Sequence, residues 1–392
     1  MMIATAIFCL NCISAANLTV QIEGLPPGVD AQVEVSYPGG TKTLTATETL
    51  PDVGAGSVTA TSSAVRAPGQ FVDTVYIAQP VKTEVKGAET ALVVKYTPRG
   101  GTGMLWIGSD FASEDNAEIA QMRAVRDASL AAGFTSFDRV MSAPVRMDGP
   151  YYGTLGSFIA NDHWEGRFAE FQPGYLSGAG SVSFKPQPEE RGGVIHRDPN
   201  GTLWLGGEGF FWRLDSSFKP NLKLEYEDGG DEVRPSFFNA AFDHEGNLIA
   251  VGNSHAWYLK AAQLKAPGSP KPVVTKFPSG GVNHVALDKE NAAYVVNEIG
   301  QIQVLTRDQY TKGGETEASR ELSVPQSANC LAFDNEGGMW VSVRYSAQLL
   351  YFPPGESSFV EKGSVGPSMD EGSKILFNPP PAWSSLNVKG KV

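Results

Sequence analysis

The chain has 392 residues, 41% of them hydrophobic and 19% charged, an ordinary globular composition long enough for two or three domains. A net charge of −12, with no Lys or Arg run, argues against nucleic acid, whose binders present a basic face. The 43 Gly and 26 Pro favour a turn-rich β protein over a helical one. After the opening segment nothing approaches the ~18 apolar residues of a membrane span.

Residues 1–16 (MMIATAIFCLNCISAA) have the apolar core of a secretory signal, and Ser14, Ala15 and Ala16 supply small residues for cleavage. No positive charge precedes the apolar run, and the first basic residue is Lys42. The signal is therefore atypical, or the start lies upstream. Export to a bacterial periplasm, cell surface or medium is expected. Cys9 and Cys12 have redox-motif spacing but sit in this terminal apolar stretch, without strand–helix context. Only Cys330 remains in the body of the chain, so no intramolecular disulfide framework is expected there.

Residues 17–98 lack Trp and are rich in Thr and Val. Alternating stretches at 17–23, 31–36, 41–46, 56–63, 73–78 and 90–96 read as short strands. Turn chemistry (LPPG at 25–28, PGG at 38–40) separates the first three. This pattern suits a small β-sandwich, and its composition resembles Ig-like modules that precede other domains in exported bacterial proteins. Residues 99–103 read as a linker.

From there the chain repeats. FDHEGNLIAV at 242–251, LDKENAAYVV at 287–296, FDNEGGMWVS at 333–342 and RDPNGTLWLG at 197–206 are the clear copies. Divergent copies stand at 103–108 (GMLWIG) and 153–158 (GTLGSF). Aligning Trp106, Gly156, Trp204, Ile249, Tyr294 and Trp340 gives steps of 50, 48, 45, 45 and 46 residues. A second landmark through Leu130, Leu176, Phe218, Leu264 and Tyr310 steps by 46, 42, 46 and 46. One such unit of about four strands cannot bury both its faces alone, whereas a ring of units can.

At the other end, KILFN at 374–378 matches the strand that precedes each Asp-x-x-Gly turn, yet Pro379 follows instead of a new copy. That orphan strand would complete the first copy and seal the ring. The expectation is an all-β chain: an Ig-like β-sandwich, then a six-bladed β-propeller over 104–392 closed by the C-terminal strand, acting as a monomer.

The Asp-x-x-Gly units read as β-turns capped by Asp, with Gly or Asn at positive φ, and not as calcium loops. The aromatic residues after them read as packing between blades. No catalytic signature is present: no Gly-x-Ser-x-Gly, no His-Glu-x-x-His, no P-loop. His196 and His244 adjoin turns and are expected at the surface; His163 lies in a polar cluster.

Inner strands start, and second strands end, on one face of a propeller. Asn283 and Asn329 stand five residues before their turn Asp, with Asn239 and Lys374 one place later; His284 adjoins Asn283. Asp110, Asp162, Glu208, Asn253, Glu298 and Arg344 end the second strands. Together these would ring one mouth of the central channel with carboxylates and amides, and that mouth is the expected binding face. The reading is of a non-enzymatic protein that binds a small molecule or an extracellular protein there, with no cofactor.

The consensus Ala-Phe-Asp-x-x-Gly-x-Leu-Trp-Val, as at 331–341, resembles NHL-type propellers and is similar to gluconolactonase-type and virginiamycin B lyase-type propellers. The gluconolactonase resemblance implies a divalent metal, such as calcium, held in the channel by a Glu, Asn and Asp set; Asn283, Asn329 and Glu208 are the candidates for it. The lyase resemblance implies a His near the channel mouth, where His284 is the candidate. Either would make the chain a metal-dependent lactonase or lyase, the alternative to a binding protein.

Overall fold

The computed structural model describes residues 16–67, 74–101, 104–109, 121–126, 139–142, 148–153, 157–162, 166–172, 181–188, 193–227, 234–277, 282–297, 299, 301–325, 328–343, 348–364, 374–378, 380–381 and 383–385. The chain is all-β and divides into two compact units, with the change of unit at Arg99–Gly100. The opening segment 1–15 lies outside the described residues.

In the first unit two sheets share one apolar core. Ala16–Glu23 lies between Glu48–Val53 (antiparallel) and Glu89–Gly101 (parallel) in a five-stranded sheet. Val33–Tyr37 lies between Gly40–Leu44 and Gly56–Ser62 in a four-stranded one. Period-2 alternation sends Leu18, Val20, Val33, Val35, Val58, Leu92 and Val94 inward, and all are buried. Three strands escaped the sequence reading: Glu48–Val53, Val65–Ala67 and Val81–Val85. The first carries Pro51, the second has three residues, and the third is an edge strand of Lys, Thr and Glu between two valines. The strand Glu89–Gly101 continues into the segment expected as a linker.

Among the described residues the second unit holds six successive sheets, antiparallel except where Gly314–Glu315 pairs parallel with Val273–Lys276. Their innermost strands are Ile375–Asn378, Asp148–Tyr152, Val194–Arg197, Asn239–Phe242, Val282–Leu287 and Ala328–Phe333. These strands neighbour one another in that cyclic order, the last touching the first. The C-terminal strand does join the first sheet: Leu105 stands opposite Phe377, Trp106 opposite Leu376 and Ile107 opposite Ile375. Ile375, Leu376 and Phe377 are buried there, and Tyr152 Oη donates to the Phe377 carbonyl at 2.6 Å, tying the first sheet to the second.

Core clusters bridge neighbouring sheets, as a ring of mutually packed sheets requires. Second strands are buried on both faces in the third to sixth sheets, so alternate residues serve opposite neighbours. Ala250 packs with Trp204 and Phe211 of the third sheet, while Ile249 and Val251 pack with Val285 and Val295 of the fifth. Leu331, Phe333 and Val341 of the sixth sheet meet Tyr294, Val296 and Ile302 of the fifth. Across the seal, Cys330, Trp340 and Leu349 meet Val125, Ile375 and Phe377.

The turns are as the sequence implies. Asp334 Oδ1 accepts from the amides of Glu336 and Gly338, and Oδ2 accepts from Trp340 Nε1 at 3.1 Å. Asp198 repeats this with Asn200, Thr202 and Trp204, and Asp243 and Asp288 cap their turns by the same two backbone bonds. The residue three places after each Asp takes positive φ: Gly201, Gly246, Asn291 and Gly337. Phe218, Leu264 and Tyr310, the described members of the second landmark, are buried.

One register differs. Each second strand ends three residues after the aligned position: Ser109 after Trp106, Gly207 after Trp204, Gly252 after Ile249, Asn297 after Tyr294, Val343 after Trp340. In the second sheet that strand is Phe158–Asp162, so the equivalent residue is Ile159, opposite Tyr151. The sequence alignment placed it at Gly156, which lies outside the described residues. The step from Trp106 to that strand is longer than the alignment assumed, and a Gly-Thr-Leu match at 153–155 mimicked the strand sequence.

Candidate functional site

The inner strands enclose a cavity of about 170 Å³. One end is stoppered. The segment after the closing strand turns back across the Asp turns, where Trp383 Nε1 donates to the Asp334 and Asn335 carbonyls at 3.2 and 3.1 Å. Ser385 Oγ donates to the Phe242 carbonyl at 2.7 Å, so the strap reaches from the sixth sheet to the fourth. The Trp383 ring meets Phe333 edge-on at 5.9 Å between centroids. Pro381, Trp383, Ser384 and Ser385 all line the cavity. At the opposite end Phe238, which is 38% exposed, lines its rim.

The inner strand is an edge strand of each sheet, and its spare backbone groups need partners. Polar side chains from the neighbouring sheet supply them. His196 Nε2 lies 2.8 Å from the Phe237 carbonyl, tying the third sheet to the fourth. Asn239 Nδ2 donates to the Val282 carbonyl at 2.8 Å, tying fourth to fifth. His284 hydrogen-bonds the Leu331 backbone, tying fifth to sixth. Arg197 Nη1 donates to the Gly153 carbonyl at 2.6 Å, with its guanidinium over the Tyr152 ring. His196, Arg197, Asn239 and His284 also line the cavity.

Burial holds both imidazoles neutral. His196 is lowered to about 4 and His284 to about 3, chiefly by desolvation, with the Lys374 ammonium adding to both. Burial pushes the Cys330 thiol up, against the pull of the same ammonium. Lys374, at the seam of the first sheet, is among the residues that line the cavity. Its own backbone amide donates to the Gly149 carbonyl. A general base serves best with a pKa near the working pH, so imidazoles held this low are poorly matched to proton abstraction.

The residues expected at the mouth fare differently. Asn239 and His284 line the cavity. Asn329 is buried at 1% exposure but is not among the lining residues, and Glu208 is exposed on the hairpin turn after Gly207. The side chains of Asn283 and Asp162 lie outside the described residues, as do Asp110, Glu298 and Arg344 entirely. The channel-facing register is four residues before the turn Asp (Asn239 and His284, with Lys374 equivalent), not five. His196, expected at the surface, is instead in the cavity wall two residues before its Asp; His244 is exposed. An alternation count back from each Asp would have found His196.

Among the described residues no Asp or Glu lines the cavity, and no group of three or more His, Cys, Asp or Glu is placed to hold a metal ion. Divalent metals of the calcium kind need several oxygens, largely carboxylates. Of the Glu and Asn set implied by the gluconolactonase resemblance, Glu208 and Asn329 are not among the described lining residues, and the side chain of Asn283 lies outside the described residues.

Fold and cavity define a β-propeller with a stoppered central channel. No family model and no curated protein matches the chain. Among solved structures, a protein of unknown function from Bacteroides caccae is similar at TM-score 0.50 and 11% identity, over 71% of this chain and 100% of that one. A catalytically inactive virginiamycin B lyase from Staphylococcus aureus with quinupristin gives TM-score 0.43 and 13% identity, over 62% and 77%. A streptogramin B lyase gives 0.43 and 14%, over 67% and 79%. At 11% identity the first of these likenesses speaks to the fold alone.

Proposed function

We propose that the chain is an exported binding protein in which an N-terminal Ig-like module precedes a six-bladed β-propeller, and that the propeller channel holds a small molecule without transforming it. The observation that carries this is the stoppered cavity of about 170 Å³, large enough for a small organic molecule. A pocket of this kind, mostly apolar with a few convergent polar groups, is the usual form of a small-molecule site. Two neutral imidazoles tied to backbone, in a wall with no carboxylate among its described residues, favour holding over turnover.

Ligand-observed NMR against a library of fragments tests this, with Ala286→Phe as a variant that fills the channel from its wall. Fragments should bind the native protein and lose binding to the variant. Binding that is indifferent to Ala286→Phe would place the site elsewhere and overturn the reading. Divalent metal in the purified protein, with lactone hydrolysis that a chelator abolishes, would instead establish the metal-dependent enzyme.

A further inference from the structure

The wall of the cavity and its stoppered end are built differently. The wall consists of inner strands, each held in a ladder by its second strand, and the lining follows them from Phe238 to Phe242 and from His284 to Leu287. At about 3.3 Å per residue, Phe238 to Phe242 spans roughly 13 Å of the channel. Phe242, Leu287 and Phe333, each immediately before its turn Asp, line the far end, and the strap lies across it.

The strap belongs to no ladder. Its own bond is a turn, from the Ser384 amide to the Pro381 carbonyl at 2.9 Å, and its fastenings are the bonds of Trp383 to the sixth sheet and of Ser385 to the fourth. The Trp383 ring packs against the cluster of Tyr294, Phe333 and Met339 while also lining the cavity. Its bonded N–H and its edge contact with Phe333 set the orientation of the indole. Paired strands therefore set the width of the channel, and one side chain sets its length. A ligand lying along the axis gains by burying each methylene until it meets the indole. Beyond that point an added methylene must displace packed atoms, and affinity falls.

Resting on the reading of the channel as a binding site, we infer that Trp383 determines how long a ligand the site accepts. A cavity of about 150 Å³ holds benzene, so 170 Å³ takes one ring with a short substituent, and longer homologues are rejected at the strap.

Calorimetric titration of the full chain with benzene, toluene, ethylbenzene, n-propylbenzene and n-butylbenzene tests this, since the series varies length at constant width. Affinity for the native protein should rise by up to about fourfold per methylene and then fall beyond a cut-off. Trp383→Ala should move that cut-off to a longer homologue, and Trp383→Phe, which keeps a smaller ring, should move it less. A cut-off that stays in place in both variants, or affinities that drop by one factor at every length, would overturn the role of Trp383 and leave the channel as the site. If Ala286→Phe leaves probe binding unchanged, the probes sit elsewhere and the channel reading falls with the proposal. If no member binds the native protein the length limit fails, and the fragment screen decides the channel reading by itself. Should Trp383→Ala misfold, Trp383→Phe carries the same comparison.

Discussion

The two ends of the channel are built from the same six strands but by different rules. At the stoppered end the same chemistry recurs: Asp198, Asp243, Asp288 and Asp334 each cap a turn through the same two backbone amides. Toward the open end the equivalent position carries a different residue each time: Val194, Asn239, His284, Cys330 and Lys374. Repetition marks what every sheet needs to fold. Departure from the repeat marks what only one place needs, and in a repeat protein that is where function has room to reside.

This contrast can be broken at several points. The largest effect should come from ending the chain before Lys374. That removes the buried Ile375, Leu376 and Phe377, roughly 5 kcal/mol or more of apolar burial, and bares the edge of Met104–Ser109. Urea unfolding should show the second unit losing its cooperative transition; an unchanged transition would mean the ring does not depend on its seal.

Next, Asp334→Ala should cost about 2–4 kcal/mol, because two amides and the Trp340 indole lose their acceptor. Ligand binding at the open end should be untouched, measured on the same sample. A variant that loses binding without losing stability would reverse the roles assigned to the two ends.

Acid should act on the wall between the ends. His196 and His284 have folded pKa values of about 4 and about 3, below the usual 6.5. The stability from keeping them neutral is complete above pH 6.5 and is lost as pH falls from there toward 3. The loss is up to about 1.4 kcal/mol per pH unit for each histidine. Urea midpoints at pH 7, 6 and 5 should fall progressively, and less steeply for His196→Gln; a flat native profile would contradict burial of the imidazoles. The smallest stability effect belongs to Lys374→Met, within about 1 kcal/mol of native by urea unfolding.

The ring was legible because its signal is redundant. Two landmarks hold one period, and the orphan strand at 374–378 names its own partner. The second sheet was misaligned at Gly156 because the step from Trp106 to its strand, Phe158–Asp162, is longer than the other steps and a Gly-Thr-Leu match precedes it. The cavity was less legible. Position in the repeat indicated the correct strands, but the channel-facing register depends on a one-residue shift in strand pairing. Such shifts occur at Val282/His284 and at Ala328/Cys330. A one-residue slip sends every side chain to the other face, which is why Asn329 is buried off the channel while His284 lines it. The strap that stoppers the channel left no pattern, since Trp383 and Ser385 hydrogen-bond to backbone carbonyls, which every residue carries.

The central claim is that the channel is where the protein binds. A crystal structure of the full chain soaked with a small bromine-bearing fragment that binds it in solution tests this most directly, because anomalous scattering locates the bromine without reference to the fold. One bromine inside the channel is the expected result. Bromine found only on the outer surface, with the channel empty at saturating ligand, would contradict the account.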